Sequence, residues 1–232
     1  MKSYAITLKG NKISEQGFDA LWLSSKKLGN DFNIEKFEAT DHIKVGEEMS
    51  RWDLFWNYPW EGKVTDLATG LIKSAYPTVV KTKRMAAAVS HFRLWTECFE
   101  KKEPILILEH DAIFRKKLNY QLLLDSKYDI IGINEPRGAT RKSAEFHRLI
   151  QKNKNEIQPV PSVDNYNIPQ GIAGNSAYII KPEAAEKLIS LCFNHGLWPN
   201  DAIMCKQLMP GSLQCVYPYY TRVQRIKSTT TK

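Results

Sequence analysis

The sequence lacks several features that would place it in a familiar class of protein. Its four cysteines contain no Cys-x-x-Cys pair, so neither a zinc knuckle nor a dithiol redox site is predicted. No apolar stretch reaches transmembrane length, and the N-terminal stretch has no apolar region long enough for secretion. Neither a run of five basic residues nor an internal repeat occurs. We therefore expect a cytoplasmic protein without a transmembrane segment.

The length and composition are those of an ordinary globular protein with an excess of basic residues. At 232 residues, with 43% hydrophobic and 25% charged residues, the chain is long enough to bury one large core. The net charge of +8 suits a nucleic acid, an anionic membrane surface or an anionic substrate such as a nucleotide diphosphate. Because the Lys and Arg residues are scattered, a solvated basic surface is the favoured single explanation of the charge. Peripheral contact with an anionic surface remains open.

The N-terminal part of the chain has the pattern of an opening βαβ unit. Residues 4–8 are predicted to form a strand, a helix capped by Ser14 follows to about Leu28, and residues 33–39 form a second strand. In such a unit the turn after the first strand faces the ligand crevice. The candidates for nucleotide contact at this turn are Thr7, Leu8 and Lys9.

Residues 104–114 are the most informative stretch, an apolar run that ends in Glu109-His110-Asp111. A short continuous apolar run after a proline predicts a strand buried on both faces of a parallel or mixed sheet. Two carboxylates at the carboxyl end of such a strand lie where open α/β sheets bind ligands. Their oxygens suit Mg²⁺ or Mn²⁺, ions that usually bring a substrate phosphate with them. The alternative is a solvated turn after the strand.

Residues 84–102 have the strongest helical pattern in the chain, with apolar side chains at helical spacing and three consecutive alanines. His91 lies at the margin of the apolar stripe, where a histidine is either a hydrogen-bonded core residue or a functional one. Because this helix leads into the strand that ends at Glu109, its side chains can reach the same crevice.

Three stretches show neither a clear helical nor a clear strand periodicity of apolar residues. Residues 50–80 hold five closely spaced aromatic residues, which predict either a binding loop that stacks on sugars or bases, or a cluster that pins an insertion to the core. Residues 135–170 are polar and are predicted to be a mobile lid or acceptor loop, with disorder as the alternative. Residues 222–232 are a basic tail that we expect to be flexible.

Three distant segments combine into one pattern: Ala86-Ala-Ala-Val-Ser-His-Phe-Arg-Leu-Trp95, Ile105-Leu-Ile-Leu-Glu-His-Asp111, and Gly174-Asn-Ser-Ala-Tyr-Ile-Ile-Lys-Pro182 followed by Pro199-Asn-Asp201. In this order and spacing they resemble a Ser-His-x-x-x-Trp helix, a strand ending in Glu-Asp-Asp, and a Gly-x-x-x-Tyr segment with a later Pro-x-Asp. These are motifs of glycosyltransferase family 25, the lipopolysaccharide-type and collagen-type galactosyltransferases. The resemblance extends over nearly the whole chain.

The resemblance implies a GT-A-like α/β fold, with a Rossmann-type, mostly parallel central sheet flanked by helices, in a single domain over residues 1–221. It also implies transfer of a hexose, galactose or glucose, from a UDP-sugar to a hydroxyl of a glycan or other acceptor. The transfer would invert the anomeric carbon and use a divalent metal, Mn²⁺ or Mg²⁺. The family is associated with lipopolysaccharide biosynthesis.

The motif match assigns roles to individual residues. Glu109 and Asp111 match the outer acids of the metal and diphosphate motif, and His110 departs from the middle Asp of that motif. Motifs and strand ends together predict the donor site: Thr7, Leu8, Lys9, Arg84, Ser90, His91, Glu109, His110, Asp111, Gly174 and Asn175.

An inverting transfer also needs a base that takes the proton from the acceptor hydroxyl. Asp201, which matches the Pro-x-Asp acid, is the predicted base, and Asp111 is the other predicted catalytic carboxylate. Asp164 and Glu135 are the alternatives for the base. The cations that would suit a diphosphate are Lys9, Arg84 and Arg93.

Two other functions stay open at this point. A nucleic-acid-binding module would use the basic charge and the aromatic cluster, but the basic residues do not interleave with the aromatic ones on any one element. A transferase-like fold could instead bind a glycan or nucleotide without turnover, for which His110 is the hint. We expect a sugar donor and acceptor as partners, and no nucleic acid.

Overall fold

The computed structural model describes residues 1–137, 142–153, 155–227 and 229. The elements follow one another as β1 (Lys2–Thr7), α1 (Lys12–Lys27), β2 (Glu35–Glu38), α2 (Val45–Arg51), β3 (Lys63–Thr65), β4 (Ile72–Ser74), α3 (Lys81–Lys101), β5 (Ile105–Glu109), β6 (Ala112–Phe114), α4 (Tyr120–Asp125), β7 (Ile130–Gly132), α5 (Ser143–Lys152), β8 (Ile157–Pro159), β9 (Ala177–Ile180), α6 (Pro182–His195), α7 (Asn200–Ile203), β10 (Leu213–Val216) and β11 (Thr221–Val223).

A seven-stranded sheet with the order β2-β1-β5-β9-β7-β10-β8 forms the centre of the fold. Five strands run in one direction, since β1 is parallel to β2 and β5, and β10 is parallel to β7. β9 runs antiparallel to β5 and β7, and β8 runs antiparallel to β10. The predicted α/β class with a mostly parallel central sheet is therefore confirmed.

β5 is buried on both faces, as its continuous apolar run predicts. Ile105 and Ile107 join the core that contains α3 and α6, whereas Leu106 and Leu108 join the core that contains α1. This alternation follows from the pleat of a strand, which points successive side chains to opposite faces. The register pairs Ile6 of β1 with Glu109, so the two strands end side by side at the crevice.

The turn from β1 into α1 differs in detail from the sequence prediction. Asn11, rather than Ser14, caps α1, because its side-chain oxygen accepts a hydrogen bond from the Ser14 backbone N–H. Ser14 is buried and its hydroxyl accepts a hydrogen bond from the Leu8 backbone N–H. The Ser14 side chain therefore holds the end of β1 against α1.

α1 packs closely against the acidic segment that follows β5. A Cβ atom placed on Gly17 would lie 2.8 Å from the backbone oxygen of His110, which is shorter than a real contact allows. Glycine at this position therefore permits an approach that a larger residue prevents. The close packing positions the Glu109-His110-Asp111 segment.

The stretches without a clean period contain regular elements. Residues 50–80 include the β3–β4 hairpin, and Leu54 and Tyr58 are buried in the main core. A buried ion pair, 3.0 Å between Lys73 Nζ and Asp66 Oδ1, joins the strand β4 to the hairpin turn. Residues 135–170 include α5, which buries Phe146 and Ile150, and the edge strand β8. Residues 138–141 and 154 of this stretch lie outside the described residues.

The predicted tail begins inside a strand, because residues 221–223 form β11. Thr221 pairs with Phe114, and Val223 pairs with Ala112, so β11 and β6 form a small antiparallel sheet next to the acidic segment. The short polar sequence of β11 has no periodicity that could have predicted this pairing. Residues 228 and 230–232 of the predicted tail lie outside the described part of the chain.

All four cysteines are buried and reduced. The described residues include no helix with both the length and the apolar character needed to cross a lipid bilayer.

Candidate functional site

A crevice with a volume of about 370 Å³ lies at the carboxyl ends of β1 and β5. This is the edge of an α/β sheet where ligands bind, and the volume is that of a typical ligand pocket. Its walls come from β1, α1, the segment after β2, α3, the acidic segment and the C-terminal segment. The lining residues are Ile6, Leu8, Asn11, Ile13, Ala39, Thr40, His42, Lys83, Ala86, Ala87, Ser90, His91, Glu109, His110, Asp111, Lys227 and Thr229.

Glu109, the last residue of β5, accepts hydrogen bonds on both carboxylate oxygens. His91 Nε2 lies 3.2 Å from Oε1, and the Ser176 hydroxyl lies 3.5 Å from Oε2. Burial alone would raise the pKa of Glu109, but its interactions, led by the hydrogen bond from His91, lower it below its usual value. Glu109 is therefore held as a carboxylate in a defined orientation.

A chain of buried hydrogen bonds lies behind Glu109. The Trp95 indole N–H donates to the Tyr178 hydroxyl (2.9 Å), which lies 2.8 Å from His91 Nδ1. Because an indole N–H can only donate and a carboxylate can only accept, a neutral imidazole with its proton on Nε2 satisfies every member of the chain. The chain brings together all three distant motifs: the α3 helix, the acidic segment and the Gly-x-x-x-Tyr segment.

Asp111 is in a different electrostatic state from Glu109. Its Oδ1 is buried and has no hydrogen-bond partner within the described part of the chain. Burial, followed by the negative charge of Glu109, raises the pKa of Asp111 to about 7, against an opposing effect of the Ser176 hydroxyl. A buried carboxylate oxygen without a partner is rare in native proteins and needs an explanation.

His110, between the two acids, is anchored through its backbone. Its N–H donates to the carbonyl of Ile6 (3.2 Å), and its ring lies next to Gly17 of α1. Burial lowers the pKa of His110, although the charge of Glu109 opposes this. The side chain therefore contributes no negative charge to the acidic segment and is disfavoured as a cation.

Asp201, in the short helix α7, lies beside Arg84 and Tyr76. Burial raises the pKa of Asp201, the charge of Arg84 opposes the rise, and the charge of Glu109 adds to it. Asp201 Oδ1 has no hydrogen-bond partner among the described residues. The guanidinium of Arg84 stacks over the Tyr76 ring, 5.0 Å from its centroid, and donates to the Thr78 hydroxyl. Arg84 is therefore bound beside Asp201 and does not line the crevice.

The described residues contain no group of three or more Asp, Glu, His or Cys side chains that could hold a metal ion. Mg²⁺ at a nucleotide site usually takes one or two carboxylates and completes its coordination with phosphate oxygens and water. The unpartnered Oδ1 of Asp111 fits such a ligand. Glu109 fits less well as a direct ligand, because both of its oxygens already accept hydrogen bonds.

The structure brings some of the predicted donor-site residues to the crevice. Leu8, Ser90 and His91 line it together with the acidic segment. Ser90 donates to the Ala86 carbonyl and accepts from the Thr40 backbone N–H, so it orients the wall of the crevice.

Other predicted residues do not line the crevice. Thr7 is buried, with its hydroxyl 3.4 Å from the Phe37 carbonyl. Lys9 forms an exposed ion pair with Glu38. Arg93 donates to the Glu38 carbonyl and to the Thr40 hydroxyl.

The segment before β9 contains another unpartnered polar group. Gly174 has φ +80°, a left-handed conformation that favours glycine, and it leads into Asn175. Asn175 is 6% exposed, and neither its amide oxygen nor its nitrogen has a partner in the described chain. Ser176, the next residue, accepts a hydrogen bond on its backbone oxygen from the Glu109 N–H (2.8 Å).

The alternative bases are both bound to cations. Lys142 Nζ lies 2.7 Å from Asp164 Oδ1, and Arg137 forms an ion pair with Glu135. Each of these carboxylates is therefore already paired with a basic side chain.

Sequence reasoning missed several residues of the site. Lys83 and Lys227 line the crevice, and Tyr178 and Trp95 orient His91. Tyr178 and Trp95 lie within the quoted motifs, and that position was the sequence signal that could have identified them as site residues. Nothing in the local sequence around Lys227 points to the crevice.

One comparison with known proteins, that with family models, agrees with the motifs. Residues 71–204, more than half of the chain, match the family described as glycosyltransferase family 25 (LPS biosynthesis protein). No curated protein matches. Among solved structures, mouse xyloside xylosyltransferase 1 in its apo form is similar, with 11% identity and a TM-score of 0.42, over 90% of this chain and 80% of that chain. A197 from STIV has 10% identity and a TM-score of 0.37, over 98% of this chain and 84% of that chain.

Proposed function

The chain belongs to glycosyltransferase family 25, and from that premise we propose that it transfers a hexose from a UDP-sugar to an acceptor hydroxyl. The transfer inverts the anomeric carbon and uses a divalent cation. The acceptor is a glycan or another hydroxyl-bearing molecule, and the family description favours a glycan made in lipopolysaccharide biosynthesis. Galactose and glucose are the hexoses that we propose to test first. We place the reaction in the cytoplasm, with peripheral contact of the basic surface with an anionic membrane.

The observation that carries the proposal is the acidic segment that lines the crevice. Glu109 and Asp111 line one cavity at the carboxyl ends of two parallel strands, and Asp111 has a buried oxygen without a partner. No basic side chain of the described residues forms an ion pair with Asp111. A divalent cation bound with the donor diphosphate would satisfy this oxygen.

We assign Asp111 as the direct protein ligand of Mg²⁺ or Mn²⁺ and Glu109 as the neighbouring acid that supports it. When bound, the cation would act as a Lewis acid and stabilise the charge that develops on the leaving diphosphate. The hydrogen-bond chain from Trp95 through Tyr178 and His91 holds Glu109 in position. Such outer partners fix the orientation of the groups near a metal.

We assign Asp201 as the general base. In the transfer, the acceptor oxygen forms a bond with the anomeric carbon, the bond from that carbon to the diphosphate breaks, and Asp201 Oδ1 takes the hydroxyl proton. A base is most effective when its pKa lies near the working pH, and burial moves the pKa of Asp201 upward. Its Oδ1 is buried and has no hydrogen-bond partner in the described chain, and Asp201 is not among the residues that line the crevice.

The remaining predicted donor contacts belong to the same proposal. Leu8, Ser90 and His91 line the donor crevice, and Asn175 offers an unpartnered amide next in sequence to Ser176, which contacts Glu109. Arg84 acts through Asp201 rather than on the diphosphate in this assignment.

The test is release of UDP from a panel of UDP-hexoses, with Mn²⁺, Mg²⁺ or EDTA, since many transferases slowly hydrolyse the donor without an acceptor. We expect release from one sugar, lost with EDTA and reduced about 100-fold or more in Asp111→Asn. Asp19→Asn is the matched control, because it removes the same charge from an exposed site on α1. No release from any sugar, together with no binding of UDP by calorimetry, would contradict the proposal.

A further inference from the structure

Two lysines line the donor crevice without an ion-pair partner. Lys83 comes from the first turn of α3, and Lys227 comes from the segment after β11. Neither forms an ion pair with any residue in the described part of the chain. The three cations predicted from the sequence have other contacts: Lys9 with Glu38, Arg93 with Thr40, and Arg84 with Thr78.

The C-terminal segment is attached directly to the acidic segment. The Gln224 backbone N–H donates to the Asp111 carbonyl (2.7 Å). Its side-chain amide donates to the carbonyls of Gly17 and Ala112, each at 2.9 Å, and to that of His110 at 3.3 Å. One glutamine thus ties the C-terminal segment to α1 and to both sides of Asp111, three residues before Lys227.

The electrostatics of the crevice require cations from the protein. A divalent cation bound to Asp111 beside Glu109 is balanced by the charge of the two carboxylates, so the charge of a diphosphate remains to be compensated. A lysine ammonium is a compact cation with three donors and binds phosphate oxygens as a point charge. Within the described ranges, Lys83 and Lys227 are the unpaired lysines that line the crevice.

We propose that Lys227, together with Lys83, binds the phosphate oxygens of the donor diphosphate, and that Gln224 is the positioning residue that fixes the C-terminal segment as a wall of the donor site. This inference rests on the proposed function, because it takes the crevice as the site of a nucleoside diphosphate. It assigns a binding role to a segment that sequence analysis interpreted as a flexible tail.

The test compares Lys227→Ala with Arg225→Ala by calorimetry. Both variants remove one positive charge from an exposed side chain of the same segment, but Arg225 does not line the crevice. The probes are inorganic pyrophosphate, UDP and uridine, each in buffer containing Mg²⁺. Pyrophosphate reports on the phosphate site alone, and uridine reports on the nucleoside site alone.

We expect Lys227→Ala to weaken pyrophosphate and UDP binding about tenfold, as loss of one hydrogen bond to a charged group implies. Uridine binding should not change, Arg225→Ala should bind all three probes as the wild type does, and Lys227→Arg should restore most of the affinity. Gln224→Ala should weaken pyrophosphate binding without a change in net charge.

The inference is overturned if Lys227→Ala and Arg225→Ala bind pyrophosphate equally, or if the wild type does not bind pyrophosphate. Lys227-dependent binding of pyrophosphate without any binding of UDP would support the phosphate site and contradict the UDP-sugar donor. The two proposals can therefore fail separately. Because Lys227 is exposed, its substitution should leave the thermal unfolding midpoint unchanged.

Discussion

Replacing Lys73 with methionine should destabilise the fold more than any loss of a surface ion pair. Lys73 is 2% exposed, and its ammonium lies 3.0 Å from Asp66 Oδ1, 2.9 Å from the Asn57 carbonyl and 4.7 Å from the centroid of the Trp198 ring. Methionine fills a similar volume but leaves the Asp66 carboxylate buried without its cation. The Thr69 hydroxyl, which donates to Asp66 Oδ2 (2.6 Å), compensates only part of that charge.

Removal of one partner of a buried ion pair lowers the free energy of unfolding by about 3–5 kcal/mol. For a chain of this size, 1 kcal/mol shifts the midpoint of thermal unfolding by about 2–4 °C, so we expect a drop of roughly 6–20 °C. The double variant Asp66→Asn/Lys73→Met should be more stable than the sum of the single variants implies, by about 1–3 kcal/mol. Urea unfolding of the four proteins measures this coupling.

The same pair predicts a dependence of stability on pH. Burial alone would raise the pKa of Asp66, but hydrogen bonds from Thr69 and Lys73 and the charge of Lys73 lower it below its usual value. A carboxyl group whose pKa is lower in the folded state stabilises the fold above its unfolded pKa of about 4 and loses that contribution as pH falls through the folded value. Lys73→Met should therefore flatten the fall in stability below about pH 4.

Lys187→Met is the matched control for this prediction. Lys187 forms an exposed ion pair with Asp129, 3.3 Å long, with 56% of its side chain exposed. Its loss should lower the free energy of unfolding by less than about 1 kcal/mol. A Lys73→Met variant as stable as Lys187→Met, or an additive double-variant cycle, would refute the account of the buried pair.

Three further changes test the positions of the site residues. Gly17→Ala places a Cβ 2.8 Å from a backbone oxygen and should lower the free energy of unfolding by about 1–3 kcal/mol. A Cβ on Gly46 would meet no atom within 4 Å, so Gly46→Ala should stabilise α2 by up to about 1 kcal/mol. Urea unfolding measures both variants. Tyr178→Phe breaks the hydrogen-bond chain behind Glu109 and should lower UDP release about 10- to 100-fold, measured at saturating Mn²⁺ with circular dichroism as the folding control. Because the pKa of Asp201 is raised and a base acts when deprotonated, transfer should fall as pH drops through that raised value, and Asp201→Asn should remove most of the transfer activity.

Each of these expectations has a contradicting result. A Gly17→Ala variant that matches Gly46→Ala in stability would show that α1 can move away from the acidic segment without loss. Wild-type UDP release in Tyr178→Phe would show that Glu109 needs no orientation through His91. An Asp201→Asn variant that keeps the wild-type rate and pH profile of transfer would assign the base elsewhere.

The sequence by itself determined the centre of the fold. The apolar run that becomes β5 and the strong helical pattern that becomes α3 are local properties, and each element forms where its pattern predicts. The acids at the end of β5 lie at the crevice because the carboxyl ends of parallel strands meet at one edge of a sheet. The roles of Asp111 and Asp201 remain predictions.

Only the tertiary structure decided how the site is completed. Tyr178 lies 87 residues from His91 in the sequence, and Gln224 lies 114 residues from His110, so no local pattern relates them. Among the described residues, the lysines that line the crevice are Lys83 and Lys227. The basic residues nearer to the recognised motifs or strand ends have other contacts. A lysine or arginine side chain is long and flexible, and its partner is the group that folding brings within reach. The charged side chains can be counted from a sequence, but the group that each of them contacts depends on which distant segments pack together.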